Sequence, residues 1–240
     1  MNNEVKFLKD IVRQASDLIT SDFEVKAKGN KGDLVTNLDM EIEKFLIGKI
    51  KENYPNFDIV SEEFNTTNAP TKNCFVIDPI DGTINFVSGL PLWGIQVACI
   101  KDGDTCASII YLPKFNEMYW ADETGAYLNG TKINVREQSL KSCLYSIDGA
   151  DSVRCLQEMT KHSPHARKIM SASVNCAWIA KGIMDGCVVL NNNCWDYLPG
   201  QFLVMQAGGY ICDTQGIHVV ACNEEIAEAL KESCVKCIVS

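Results

Sequence analysis

Val76-Ile77-Asp78-Pro79-Ile80-Asp81-Gly82-Thr83-Ile84-Asn85-Phe86 is the most informative stretch of this chain. Cys74 to Ile77 is a short apolar run rich in β-formers, so a buried strand runs into two carboxylates three residues apart. A glycine, a threonine and a helix start follow. Carboxylates held at a strand end suit a hard cation such as Mg²⁺, which takes oxygen ligands. Gly82 lets the backbone approach a ligand closely, and N–H groups at a helix N-terminus receive phosphate oxygens. The competing reading is that Asp78 and Asp81 only cap the following helix.

Three other segments bear on that choice. Ser61-Glu62-Glu63 follows a strand candidate, Phe57 to Val60, and offers further carboxylates; taken alone it is a solvated acidic turn. Asp33-Leu34-Val35-Thr36-Asn37-Leu38-Asp39 puts Asp39 at the start of a helix, where an ordinary N-cap is the simpler account. Cys194-Trp195-Asp196 opens a helix that runs to Ala207-Gly208-Gly209, again with capping as the plain alternative and Trp195 as core filler.

Around these motifs the periodicity alternates. Val5, Leu8, Ile11, Val12, Ala15, Leu18 and Ile19 recur at helical spacing. Lys26 to Gly32 is polar, with two glycines and three lysines, and reads as a mobile loop. Lys26, Lys28 and Lys31 in it either bring positive charge to a site or are simply solvated. Ile42, Phe45, Leu46 and Ile50 mark a second helix. Trp93 to Ile100 and Cys106 to Tyr111 flank Asp102-Gly103, a hairpin signal. Met118 to Trp120 and Ala126 to Leu128 continue the sheet. Beyond residue 140, strands at Leu144 to Ile147, Lys168 to Met170 and Cys187 to Leu190 alternate with helices from Ser152, Ser173 and Trp195. The chain therefore divides into an N-terminal α+β lobe (1–140) and a C-terminal α/β lobe (141–240) of one compact unit.

With 46% hydrophobic residues in 240, a packed core forms. The net charge of −9 repels nucleic acid polymers and anionic membrane, so neither is an expected partner. No apolar run is long enough to span a bilayer, and the charged first ten residues do not form a signal peptide; the expected location is cytoplasmic. In that setting the twelve cysteines read as small hydrophobes rather than staples. Cys234-x-x-Cys237 alone has metal-like or redox-like spacing, without a second pair. His162, His165 and His218 fall in no motif and read as surface or loop residues.

Taken together, Asp33-Leu34-Val35-Thr36-x-x-Asp39, Glu62-Glu63, Ile77-Asp78-Pro79-Ile80-Asp81-Gly82-Thr83-x-Asn85-Phe86, Trp195-Asp196 and Ala207-Gly208-Gly209 resemble the ordered motif set of the inositol monophosphatase family, from about residue 5 to about residue 235. The resemblance implies a layered α/β fold, an αβαβα sandwich with its metal site between two lobes. It implies a Mg²⁺-dependent phosphomonoesterase acting on a small phosphorylated metabolite of sugar or polyol type. Glu62, Asp78 and the Ile80 carbonyl would hold one Mg²⁺, and Asp78, Asp81 and Asp196 a second. There is room for a third, weaker ion beside Glu62. Glu62, Thr83 and Asp39 would be catalytic, the Thr83 hydroxyl orienting water and hydrogen-bonding Asp39. Asp81, Gly82, Thr83, Ser171, Ala172 and Asp196 would meet the substrate. Family members are often homodimers, and the same is implied here.

The chain departs from the family on the substrate side. Inositol-hydrolysing members carry a Glu seven positions before the Trp-Asp aspartate; here it is Val189, which accepts no hydrogen bond from a substrate hydroxyl. Asn191-Asn192-Asn193 gives a different rim, Met170 replaces a common Gly, Tyr197-Leu198-Pro199 replaces small residues, and Gln206 replaces Glu. Fructose-1,6-bisphosphate and NADP or another nucleotide stay open as substrates. So does a non-catalytic regulatory binding protein on the same fold, although every expected ligand is present.

Overall fold

Helix α1 (Asn3–Ser16) places Val5, Leu8, Ile11, Val12 and Ala15 on one buried stripe and ends before Leu18 and Ile19, which still pack beneath it. The structure is a computed structural model that describes residues 1–28, 33–66, 69–149, 151–191 and 193–238. Strand β1 (Val25–Lys28) pairs antiparallel with β2 (Asp33–Thr36). The loop expected from Lys26 is thus strand as far as Lys28, because cross-strand pairing gives this polar segment a backbone partner. Lys31 of that loop and Asn192 of the expected rim lie outside the described residues. Helix α2 (Asn37–Asn53) follows, capped by Thr36.

Seven strands form the larger sheet, in the order in which they occur: β3 (Asp58–Ser61), β4 (Cys74–Asp81), β5 (Gly94–Lys101), β6 (Asp104–Leu112), β7 (Glu117–Asp122), β8 (Gly125–Leu128) and β9 (Thr131–Ile133). Between β4 and β5 lies the short helix α3 (Thr83–Val87). The β5–β6 turn is tight, with Asp102 and Gly103 both at positive φ, as the Asp-Gly signal requires. The smaller sheet has the order β11-β10-β12-β14-β13, formed by β10 (Tyr145–Gly149), β11 (Ala166–Arg167), β12 (Gly186–Leu190), β13 (Tyr210–Ile211) and β14 (His218–Ala221). Its helices are α4 (Ser152–Met159), α5 (Ala172–Ala180), α6 (Cys194–Gln206) and α7 (Glu224–Ile238). The strand expected at Lys168 to Met170 is instead β11, two residues earlier. Met170 turns the chain at φ 61 to enter α5.

Side-chain alternation along the strands separates the layers. On β6, Ala107, Ile109 and Tyr111 face α1 and α2, while Ile110 and Leu112 face α5 and α6. On β14, Val220 faces that same middle helix layer, while Val219 and Ala221 face α4 and α7. Both sheets are covered on both faces, giving five layers, α–β–α–β–α. The middle layer is tightly packed: a Cβ on Gly200 of α6 would lie 2.7 Å from Cys176 Cβ of α5 and closer still to its Sγ. Gly200→Ala is expected to destabilise the protein by roughly 1–3 kcal/mol through overpacking, seen as a lowered Tm in a thermal melt. An unchanged Tm would mean that the α5–α6 contact is looser than described.

The cysteines are free thiols, and Cys99, Cys176, Cys187 and Cys234 are packed in the cores. His218 is not a surface residue as expected. It stands on β14, stacked on Tyr197 with ring centroids 3.6 Å apart, and its Nδ1 lies 3.0 Å from Asp213. Helix α6 runs through Tyr197, Leu198 and Pro199 without a break.

Candidate metal centre

Cys74 and Val76 on β4 face the N-terminus of α6, packing with Cys194 and Trp195, while Phe75 and Ile77 face α1 and α2. Alternation therefore aims Asp78 at α6. Strict alternation would aim Asp81 away, but the register shifts: Asp78 pairs with Gln96 and Asp81 with Gly94, so β4 carries one extra residue. This bulge, at Pro79-Ile80, returns Asp81 to the face of Asp78 and turns Ile80 into the α1/α2 core. Carboxylate oxygens of Asp78, Asp81 and Asp196 lie within 4.8 Å of one another.

Each carboxylate is anchored differently. Asp81 does not cap α3, whose N-cap is Gly82; it accepts instead from the first N–H groups of α5, whose N-cap is Ser171. Its oxygens accept from Ser171 Oγ at 2.5 Å, Ser173 Oγ at 2.5 Å, Ser173 N at 2.8 Å and Ala172 N at 3.1 Å. Asp196, in the first turn of α6, accepts from Asn191 Nδ2 at 2.7 Å and from Asn193 Nδ2 at 3.3 Å. Asp78 has a long 3.5 Å contact from Gln96 Nε2, and its Oδ1 is buried without a partner among the described residues. A buried acceptor without a donor is costly. Here Asp78 is one of three converging carboxylates, a set of hard oxygen donors that fits Mg²⁺.

Electrostatics follow from that convergence. Burial first, then the neighbouring Glu62, Asp81 and Asp196, hold the Asp78 carboxyl well above the usual range. Burial, then Glu62 and Asp81, push Asp196 up to about 8. Burial raises Asp81, opposed by its serine hydrogen bonds. Glu62, in the turn after β3, is pushed up to about 7 by burial, against the pull of Lys28. The Lys28 ammonium lies 3.1 Å from Glu62 and 2.7 Å from Glu63.

Gly82 sits at φ 90, and a Cβ there would come within 2.9 Å of Leu92 O and 3.1 Å of Ser171 Cβ. Only glycine fits without a shift, which leaves bare backbone at the start of α3. The Thr83 hydroxyl donates to the Ile80 carbonyl at 3.0 Å. The expected Thr83–Asp39 hydrogen bond is not formed. Asp39 is the N3 member of a capping box on α2, bonding Thr36 N at 2.8 Å and Thr36 Oγ1 at 2.5 Å. Its Oδ1 is buried and unpartnered among the described residues, and burial pushes the group up to about 6.

Other residues build the site, and of these Glu43 and Gln96 lie in no motif. Glu43 accepts from Ser61 Oγ, Glu63 N and Phe64 N and so fixes the turn that presents Glu62. Its only sequence signal is a carboxylate on the apolar stripe of α2, one turn from Asp39 and beside Ile42 and Leu46. Gln96 joins Trp195 O at 2.9 Å, tying β5 to the start of α6. Asn85 Nδ2 donates to Leu92 O and to Ile169 O.

Comparisons with known proteins agree with this layered arrangement. The model of the inositol monophosphatase family matches residues 2–238. The chain is 33% identical over 196 residues to a fructose-1,6-bisphosphatase/inositol-1-monophosphatase of Thermotoga maritima, covering 80% of this chain and 76% of that protein. It is 28% identical over 247 residues to Nus factor SuhB of Escherichia coli K12, covering 91% and 90%. Among solved structures, the Thermotoga maritima IMPase superposes with a TM-score of 0.88 at 28% identity, covering 98% of this chain and 99% of that one. The chain belongs to the inositol monophosphatase family. This is a family of magnesium-dependent phosphatases.

Proposed function

We propose that the chain is a Mg²⁺-dependent phosphomonoesterase that hydrolyses a small sugar or polyol phosphate. The observation that carries this reading is the convergence of Asp78, Asp81 and Asp196 at the bulged end of β4, with one Asp78 oxygen buried and unpaired among the described residues. Glu62, Asp78 and the Ile80 carbonyl would hold one Mg²⁺, and Asp78, Asp81 and Asp196 another, with a third, weaker ion beside Glu62 where Lys28 gives way. Bound there, the ions would lower the pKa of a water and neutralise phosphoryl oxygens.

The chain's own groups supply orientation. Thr83 Oγ1 donates to Ile80 O and so keeps its lone pairs for a proton of the attacking water. Glu62 accepts from the same water; Asp39 bonds Thr36 rather than Thr83, so its part is to hold the start of α2. Backbone N–H groups at Gly82 and Thr83 receive the phosphate. Asp81, Ser171, Ala172 and Asp196 face the leaving group. Val189, 5% exposed, offers that group no acceptor, so myo-inositol 1-phosphate is expected to be a poorer substrate than fructose 1,6-bisphosphate or another sugar phosphate.

The test is phosphate release from a panel of sugar, polyol and nucleotide phosphates, with and without Mg²⁺. Release that needs Mg²⁺ supports the reading, and its absence from folded, Mg²⁺-bound protein would refute it. A regulatory role is the second reading, because several relatives bear the name Nus factor. That role predicts Mg²⁺ binding without turnover. A homodimer and a cytoplasmic location remain part of the proposal; among the described residues no helix is long and apolar enough to cross a membrane.

Lys28 competes with a cation for Glu62 in this reading. Lys28→Met is expected to lower the metal-free Tm and to tighten Mg²⁺ binding roughly fivefold. That corresponds to about 1 kcal/mol for a partly exposed pair, already discounted for screening. Calorimetric titration checks it; unchanged affinity would mean that Lys28 and Mg²⁺ do not compete.

A further inference from the structure

We propose that Asp148 is a positioning residue that fixes Asp81 through the left-handed turn at Met170, an inference that rests on the proposed metal site. Asp148 stands at the end of β10, 9% exposed, and touches no reacting group. Its Oδ1 accepts from Met170 N at 2.9 Å, and its Oδ2 accepts from Asn175 Nδ2 at 2.7 Å. Met170 has φ 61, a conformation that a residue with a Cβ rarely adopts and that surrounding contacts must hold. Asn85 holds the same peptide from the other side, through Ile169 O at 2.8 Å. Among the described residues the next three, Ser171, Ala172 and Ser173, supply every hydrogen bond that Asp81 accepts. Asp148 therefore acts at one end of a rigid chain, Asp148–Met170–α5 N-terminus–Asp81, with the carboxylate cluster at the other end.

Position 148 needs an acceptor, not a charge. Asparagine keeps Oδ1 for Met170 N, and Asn175 can turn its amide, whose Oδ1 has no partner among the described residues, to meet the new NH₂ group. Leucine is close to isosteric and removes both bonds. The experiment compares the parent protein with Asp148→Leu, Asp148→Asn and the double variant Asp148→Leu/Met170→Gly. One readout needs no metal: hydrogen exchange at the Ala172 and Ser173 amides. The second is Mg²⁺ affinity by calorimetry.

Asp148→Leu is expected to speed exchange at both amides about tenfold or more and to weaken Mg²⁺ binding about tenfold. Asp148→Asn should stay within about twofold of the parent. A glycine in place of Met170 adopts positive φ unaided, so the double variant should recover most of both losses. If Asp148→Leu does not fold, Met170→Val takes its place, since a β-branched residue is disfavoured at this φ, and the same two losses are expected. Unchanged exchange in the leucine variant, or no recovery in the double variant, overturns the positioning role. A parent protein that binds no Mg²⁺ overturns the function reading instead, and the exchange result separates the two.

Discussion

Replacing Asp78 by asparagine is expected to abolish phosphate release while making the metal-free protein more stable. The two effects have one cause. Asp78 shares its pocket with Glu62, Asp81 and Asp196, and its own carboxyl is held well above the usual range by burial and by those charges. Without a cation, an amide of the same shape relieves the repulsion. Its NH₂, placed where Oδ1 now lacks a partner, has carboxylates to donate to. The Tm of the metal-free variant should rise by a few degrees, at about 2–4 °C per kcal/mol for a chain of this size. With Mg²⁺ the sign reverses. Asp78 is the ligand common to both proposed ions, and losing the transition-state stabilisation that such ions supply, several kcal/mol, corresponds to about 10³-fold in rate. The parent's Tm should climb with Mg²⁺ as ligand linkage requires, and the variant's should not. A variant that keeps both turnover and the Mg²⁺-dependent shift would remove Asp78 from the centre.

The Asp78 to Phe86 stretch is readable in advance because one local segment contains a strand end, a bulge and a helix start. The bulge itself is not legible. Two aspartates three apart on a regular strand point to opposite faces, and only the pairing with β5 reveals that Asp78 and Asp81 share one. The capping reading of Asp81 holds an unexpected part of the truth: it accepts from N–H groups at a helix start, but that of α5, some ninety residues onward, because Ser171 to Ser173 arrive there through the tertiary fold. Asp39 is legible as a helix-start residue, and Thr36 completes its capping box. Its expected bond to Thr83 fails because the Thr83 hydroxyl finds the Ile80 carbonyl within its own turn.

Polar residues inside apolar patterns are the missed signal. Glu43, Gln96 and Asp148 all sit in buried runs, where an unpaired polar group costs free energy, and each holds a backbone group near the centre. His218 belongs with them: lying in a short strand between a turn and Val219-Val220, it reads as a surface residue and instead packs beneath Tyr197. The layered architecture is readable from alternating helical and strand periods together with the family resemblance. Strands β9 and β13 are not, and β11 is readable only with displaced bounds, since two or three residues carry too little pattern.

The affinity for Mg²⁺ is expected to rise steeply with pH while the stability of the metal-free protein falls. Asp39 and Asp148 are raised to about 6, Glu62 to about 7 and Asp196 to about 8, all chiefly by burial, and burial also holds Asp78 well above the usual carboxylate range. The corresponding groups in an unfolded chain titrate near 4. Between about pH 4 and about pH 8 the folded, metal-free protein thus binds more protons than the unfolded chain, and its stability declines as pH rises. The contribution is complete below the unfolded value and is lost group by group through 6, 7 and 8. Mg²⁺ needs its ligands deprotonated, so binding at about pH 6 must expel protons from Glu62 and Asp196, and each proton released adds about tenfold in affinity per pH unit. Apparent affinity should therefore gain at least about tenfold from pH 6 to pH 8. The Mg²⁺-induced rise in Tm should widen over the same range, because the metal-free baseline drops as the holo form strengthens. Calorimetric titrations at pH 6 in two buffers of different ionisation heat count the released protons directly. A count near zero, with affinity flat across the range, would mean that these carboxylates are already ionised before the cation arrives and that their mutual repulsion is relieved by some other group, for which Lys28 is the nearest candidate.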